Sequence, residues 1–135
     1  MSEYYFETTI NSSVEEAVEK ISSFLKPHGF GILTQIDVQN TLKEKIGAEI
    51  RPYRILGACN PNFANHVISK EQNIGLMLPC NIIVAQNEDG TTRIATINPH
   101  QTMKSVGNDE LNPIADKVSE VMQLLIASFS EVTVQ

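Results

Sequence analysis

Apolar and polar residues follow a strand-like pattern at the start of the chain and then a helix-like one. Residues 4–10 combine aromatic and β-branched side chains, which favours a strand. Ser12 and Glu15 have the spacing of a capping box, so a helix should begin there. Pro27 and Gly29 should end this helix. Its apolar stripe recurs every three or four positions: Val14, Ala17, Val18, Ile21, Phe24 and Leu25.

The next segment predicts a second strand and a short helix. Residues 30–36 favour a strand, and Asp37 is placed to cap a helix over residues 38–46. Leu42 and Ile46 should lie on the inner face of that helix. This helix offers little apolar area for packing.

A third strand and helix follow over residues 53–59 and 61–69. Asn60 is suited to cap the helix, and Pro61 suits the first helical position because it lacks an N–H group. The inner face of this helix should bury three residues: Ala64, Val67 and Ile68.

A hairpin comes next in the pattern. Pro79 interrupts an apolar run, residues 80–86 favour a strand, and residues 87–90 favour a hairpin loop. Residues 91–98 should pair back antiparallel, with Ile94 and Thr96 pointing to the face opposite Arg93, Ala95 and Ile97. The chain therefore has at least one antiparallel strand pair.

The remaining residues predict a loop and one long helix. Residues 99–108 are polar apart from Met103 and Val106, which suggests a loop able to cover a cleft. A helix should run over residues 109–129, with Pro113 in its first turn. Its stripe comprises Ile114, Val118, Val121, Met122, Leu125 and Phe129. The order of elements predicts one α+β domain over residues 1–135, with helices packed on a mixed sheet.

Charge and composition exclude several classes of partner. The chain carries 16 acidic and 10 basic residues, a net charge of -6, and no run of Lys or Arg. Nucleic acids and anionic membranes are bound through clustered cations, so neither is an expected partner. The absence of a signal-like or membrane-spanning stretch leads us to expect a cytosolic protein, in which the two cysteines are free thiols.

Two segments carry a Cys-Asn pair after an apolar run, and both are candidate cleft edges: Cys59-Asn60-Pro61 and Pro79-Cys80-Asn81. In one interpretation, the helix after Asn60 offers free amides to an anion, and its dipole lowers the pKa of a neighbouring thiol. In the other, Asn60 only caps the helix and Cys59 packs as a small apolar residue.

Metal binding and nucleophilic catalysis have weaker support. Cys59 and Cys80 lie twenty-one positions apart, whereas metal ligands usually include a close pair, so Cys59, Cys80 and His100 are weak metal candidates. A nucleophilic cysteine would need a histidine as its base, and His100 on the polar loop has the most suitable setting. Common enzyme motifs such as the phosphate loop and His-Glu-x-x-His are absent, and no cofactor is indicated.

Four short motifs stand in this order along the chain: Gly29-Phe30-Gly31-Ile32, Glu49-Ile50-Arg51-Pro52-Tyr53, Leu56-Gly57-Ala58-Cys59-Asn60-Pro61 and Leu78-Pro79-Cys80-Asn81. Together they resemble the domain of unknown function 302 family, a group of small bacterial and archaeal proteins. Asn98-Pro99 followed by Met103 also resembles a family segment. The resemblance implies a compact α+β fold and a homodimer, and implies no reaction. It also suggests that both Cys-Asn motifs and residues 99–103 come together.

These observations predict a domain that binds or senses a small ligand. Its cleft would be lined by the two Cys-Asn motifs and covered by the loop carrying His100 and Met103. Two alternatives remain open at this point: a thiol-dependent enzyme or redox protein that uses Cys59 or Cys80, and a dimeric interaction module without a small-molecule site. The full set of candidate ligand-binding residues is Cys59, Asn60, Pro61, Cys80, Asn81, His100 and Met103.

Overall fold

A central sheet with helices on one side organises the chain. The structure is a computed structural model that describes residues 4–134, with side chains described for residues 4–129. The strands are β1 (Tyr5–Ile10), β2 (Gly31–Asp37), β3 (Tyr53–Cys59), β4 (Cys80–Gln86) and β5 (Thr92–Ile97). The helices are α1 (Val14–Leu25), α2 (Val38–Ile46), α3 (Pro61–Lys70), α4 (Pro99–Thr102) and α5 (Asn112–Val134). Short 3-10 turns cover Lys26–His28, Gln72–Met77, Met103–Val106 and Asp109–Leu111.

The sheet has the strand order β1-β5-β4-β3-β2, and every neighbouring pair is antiparallel. The α+β class is therefore confirmed, whereas the expected parallel neighbours of a mixed sheet are wrong. A parallel connection needs a crossover helix packed on the sheet. Helix α2 has no buried side chain and returns the chain to the adjacent strand β3 instead.

The main core lies between α1, α5 and one face of the sheet. Both predicted apolar stripes are confirmed, since Ile21 and Leu25 of α1 and Met122 and Leu125 of α5 are fully buried. The sheet contributes alternate residues from its central strands, among them Leu56, Ile82, Val84 and Ile94. Burial of each such side chain stabilises the fold by about 1.5–3 kcal/mol relative to exposure.

Helix α1 begins one residue later than the spacing suggested. Ser13, and not Ser12, is the N-cap, and its Oγ accepts a hydrogen bond from the Glu16 N–H at 3.1 Å. The carbonyl of Ser12 instead accepts from Thr92 Oγ1 on β5. The expected caps Asp37 and Asn60 are confirmed.

Three expectations are wrong: they concern the inner faces of α2 and α3, the polar loop after β5, and the start of α5. Ile46 is 73% exposed and Ile68 is 43% exposed, so neither lies on an inner face. Residues 99–106 form α4 and a 3-10 turn rather than a loop. Residues 109–111 form a separate 3-10 turn, and α5 begins at Asn112.

No helix among the described residues is both long enough and apolar enough to cross a bilayer.

The second sheet face, opposite α1 and α5, carries the alternate residues of the strands. Tyr5, Ile83 and Ile97 on this face are half-buried, and Glu7 is exposed. Ala95 is buried between its larger neighbours. This face is thus apolar at its centre and retains accessible side chains.

Close packing fixes the contact between β3 and the segment that leads into β4. A Cβ built on Gly57 would lie 2.6 Å from Pro79 Cγ and would overlap Thr34 Oγ1. The proline ring is rigid, so it cannot move aside as a flexible side chain would. Glycine at this position therefore lets Pro79 approach the sheet.

We predict that Gly57→Ala lowers the free energy of unfolding by about 1–3 kcal/mol, because the added methyl group overpacks this contact. Urea unfolding measures the effect. Gly31→Ala on the neighbouring strand is the matched control, since a Cβ added at Gly31 would meet nothing within 4 Å. Equal stability of the two variants would show that Pro79 does not constrain Gly57.

Candidate functional site

A small cavity lies where β3, α3, β4 and the segment after β5 meet α5. Cys59 and Asn60 line it at the junction of β3 and α3, Cys80 lines it at the start of β4, and Met103 lines it after α4. Its volume is about 40 Å³. We call it the motif cavity, because residues from both Cys-Asn motifs line it.

Apolar side chains form nearly all of the wall. The cavity is lined by residues of the main core, such as Phe30 and Val118, and by residues of a second buried cluster that includes Val67, Leu111 and Ala115. The rings of Phe30 and Phe63 meet edge to face with centroids 6.1 Å apart. Such a wall favours an apolar occupant over a charged one.

Asn60 uses its side chain to cap α3. Its Oδ1 accepts hydrogen bonds from the N–H groups of Asn62 at 3.0 Å and Phe63 at 3.2 Å. The Ala64 N–H donates to the Asn60 carbonyl at 2.9 Å, and Pro61 has no N–H. The first turn of α3 thus has no free amide for an anion, which agrees with the capping interpretation of Asn60.

The two thiols are free, and the structure raises the pKa of both. Burial raises the pKa of Cys59. Burial, together with the nearby Cys59, raises the pKa of Cys80 to about 11. The expectation that the helix dipole lowers a thiol pKa is therefore wrong here, and both thiols are protonated at neutral pH.

His100 lies outside the motif cavity and fastens α4 to α5. Its ring Nδ1 is 2.6 Å from Asp116 Oδ1. Its backbone N–H donates to Ser119 Oγ at 2.9 Å and to Asn98 Oδ1 at 3.2 Å. The Ser119 hydroxyl in turn donates to Asn98 Oδ1 at 2.9 Å, so these polar groups satisfy one another. Met103 and Pro99 line the cavity on either side of this attachment.

Two other candidate residues, Pro61 and Asn81, do not line the motif cavity. Pro61 is exposed at the start of α3. Asn81 is exposed and points to the second sheet face, because its neighbours Cys80 and Ile82 point into the core. Cys59, Cys80 and His100 do not form a metal-ligand set, since the described residues contain no group of three or more His, Cys, Asp or Glu side chains placed to hold a metal.

Sequence reasoning missed most of the cavity wall. Phe63, Leu111 and Ala115 line the cavity, yet nothing in their residue types indicates more than core packing. The only signal was the regular spacing of Leu111, Ala115 and Val118 along one side of the helical segment. The polar partners Asp116 and Ser119 were missed as well.

Comparisons with known proteins agree with this fold. The family described as "Domain of unknown function DUF302" matches residues 6–129. Among solved structures, the crystal structure of an uncharacterized conserved DUF302 protein from Bacillus stearothermophilus is similar, with a TM-score of 0.87 and 27% sequence identity. The match covers 95% of this chain and 99% of that one. A search of curated proteins gave no match. The short motifs of the sequence resembled those of this family, and the match over most of the chain confirms that resemblance. The chain belongs to the DUF302 family.

Proposed function

We propose that this protein binds a small apolar ligand in the motif cavity and acts as a ligand-binding or sensing domain. The observation that carries the proposal is the convergence of Cys59, Cys80 and Met103 on one apolar cavity. These residues come from three separate parts of the chain. A purely structural contact between them would not need an open space at their centre.

The size of the cavity limits the ligand. One water needs about 10–15 Å³ of such space, whereas pockets for drug-sized ligands measure roughly 300–1,000 Å³. At about 40 Å³, the motif cavity suits a ligand of a few heavy atoms. A larger ligand requires a wall to move, and Met103, with its unbranched flexible side chain, is the wall residue best suited to move.

The chemistry of the wall limits the ligand further. Asn60 is committed to its cap, and the two protonated thiols are weak hydrogen-bond donors. A charged ligand would lose its hydration without gaining a partner. The cavity therefore favours a neutral, mainly apolar molecule.

We predict that Ala115→Leu abolishes binding in the motif cavity, because Ala115 is buried in its wall and leucine fills the space. Native mass spectrometry of chain purified without chelator should show a retained mass that Ala115→Leu loses. Xenon, followed by NMR, probes the cavity directly, and its affinity should fall at least about tenfold, or ~1.4 kcal/mol.

Ala127→Leu is the matched control, because Ala127 is exposed on the same helix. It should keep both the retained mass and the xenon affinity of the wild type. Equal binding by the Ala115→Leu and wild-type chains would refute the proposal. A bare wild-type chain that also fails to bind xenon would refute it too.

A thiol-dependent enzyme or redox protein is the alternative from another class. It is favoured by the presence of both thiols in one cavity. It is disfavoured by their raised pKa values, because the thiolate is the nucleophile and the attacking form in thiol exchange. A reactive thiol would need a lowered pKa.

We predict that Cys80 stabilises the fold below about pH 9 and loses this contribution as the pH rises. The folded chain raises the pKa of Cys80 from its ordinary 9.0 to about 11, so the folded state binds the proton more tightly than the unfolded state does. The loss between these pH values amounts to about 2–3 kcal/mol. Urea unfolding of wild type and Cys80→Ala from pH 8 to 11 measures this loss. The difference in free energy of unfolding between the two chains should become smaller as the pH rises.

The Cys59→Ala variant serves as a comparison, because Cys59 is less buried and should show a smaller pH effect. Reaction with a disulfide reagent should be slow for both thiols at pH 7. Rapid reaction of either thiol at pH 7 would support the thiol-dependent alternative.

A homodimer is the second proposal about partners, and an exposed apolar patch favours it. Leu76 is 90% exposed and the next residue, Met77, is 40% exposed on the 3-10 turn Gln72–Met77. Ile68, on the preceding helix α3, is 43% exposed. Apolar side chains grouped in this way are typical of interaction surfaces. A dimeric interaction module without a small ligand would use the same patch.

The cytosolic location stays a prediction.

We predict that Leu76→Asp raises the dimer dissociation constant at least about tenfold, because the change places a charge in an apolar interface. Analytical ultracentrifugation measures the constant. Leu33→Asp is the control, since Leu33 is 67% exposed on β2, a different part of the chain. A monomeric wild type, or equal dissociation constants for wild type and Leu76→Asp, would exclude this patch as the interface.

A further inference from the structure

A groove crosses the second sheet face, on the opposite side of the sheet from α1 and α5. Its volume is about 350 Å³, within the range of small-molecule sites. Ala95 forms its floor, because Ala95 lies between larger residues on all sides. The register places Glu7 and Ile83 directly opposite Ala95 on the two neighbouring strands.

One end of the groove carries a cation, Arg93. Arg93 lies two residues before Ala95 on β5, and its Nε is shut off from solvent without a hydrogen-bond acceptor among the described residues. A buried donor without a partner is costly, and native structures seldom leave one. Because this Nε is closed to solvent, a ligand or water in the groove can supply its acceptor only when the guanidinium group turns towards the groove. The guanidinium group offers a planar fork that matches a carboxylate.

An exposed anion borders the same floor. Glu7 is opposite Ala95, and Arg93 is opposite Thr9, so Glu7 and Arg93 are diagonal neighbours on adjacent strands. The Cα atoms of such neighbours lie roughly 7 Å apart. None of the ion pairs between described residues involves either of them. The groove therefore presents one cation and one anion a short distance apart beside an apolar floor.

We propose that this groove binds a small zwitterion with an apolar body, as in an α-amino acid with an apolar side chain. The Arg93 guanidinium donates hydrogen bonds to the carboxylate, and the Glu7 carboxylate accepts hydrogen bonds from the ammonium group. The apolar body lies over Ala95 against Ile83 and Ile97. The site shares no lining residue with the motif cavity, so the inference is independent of the function proposed for that cavity.

Leucine is the probe, and two analogues test each charge separately. 4-Methylpentanoate lacks the ammonium group, and 3-methylbutylamine lacks the carboxylate. Titration of the full chain, followed by amide NMR shifts, should show saturable leucine binding at β1, β4 and β5. Each analogue should bind at least tenfold more weakly than leucine. No saturable shift with leucine, or equal affinities for all three probes, overturns the proposal.

Variants assign the two charges. Arg93→Gln should weaken leucine at least tenfold without changing the affinity for 3-methylbutylamine. Glu7→Gln should weaken leucine similarly without changing the affinity for 4-methylpentanoate. Lys45→Gln and Glu19→Gln, which alter exposed charges on α2 and α1, are the controls and should leave leucine binding unchanged. Unchanged leucine affinity in both groove variants overturns the proposal.

Ala95→Leu keeps both charges and fills the floor, so it should abolish leucine binding even where a charge variant fails to fold. Ala115→Leu, in the motif cavity, should leave leucine binding intact, which separates failure of this site from failure of the cavity. Sedimentation is measured on the same samples. A dimer that Arg93→Gln or Ala95→Leu dissociates would show that a second copy occupies this face and would overturn the proposal.

Discussion

Burial of one face of β4 in the main core is the constraint on which the arrangement of the motif cavity and the groove depends. Ile82 and Val84 are fully buried in the main core, so the register of the strand cannot shift by one residue without exposing them. The same alternation sends Cys80 to the core side and Asn81 to the second sheet face. One Cys-Asn pair therefore contributes to two different surfaces, although its residues are neighbours in sequence.

The other Cys-Asn pair meets a different constraint, because it lies where a strand becomes a helix. Asn60 leaves β3 and turns its side chain back onto the first amides of α3. Those amides would otherwise favour a thiolate nearby through the helix dipole. With the amides occupied, loss of solvent dominates the pKa of Cys59, and the thiol remains neutral. The capping role and the raised pKa thus have a common cause.

Local patterns predicted the elements well, and relations between distant elements poorly. The stripes of α1 and α5 and the bounds of β3 and β4 follow from spacing and residue type within each segment. The antiparallel return from β2 to β3 does not, because it depends on α2 failing to pack on the sheet.

In the candidate site, four of the predicted residues line the motif cavity together: Cys59, Asn60, Cys80 and Met103. His100 does not, because Asp116 and Ser119 on α5 hold it elsewhere.

The segment from Asn98 to Met103 joins the wall of the motif cavity to α5. The polar attachment of His100 and Asn98 to Ser119 fixes its first turn on α5. Met103 follows in the cavity wall, before Gly107 adopts a left-handed conformation with φ of 75°. Since packed walls resist compression, a ligand larger than the present cavity must move the least constrained wall. Met103 lies beyond the polar attachment, so under the proposed ligand-binding function this turn would move while the attachment to α5 stays in place.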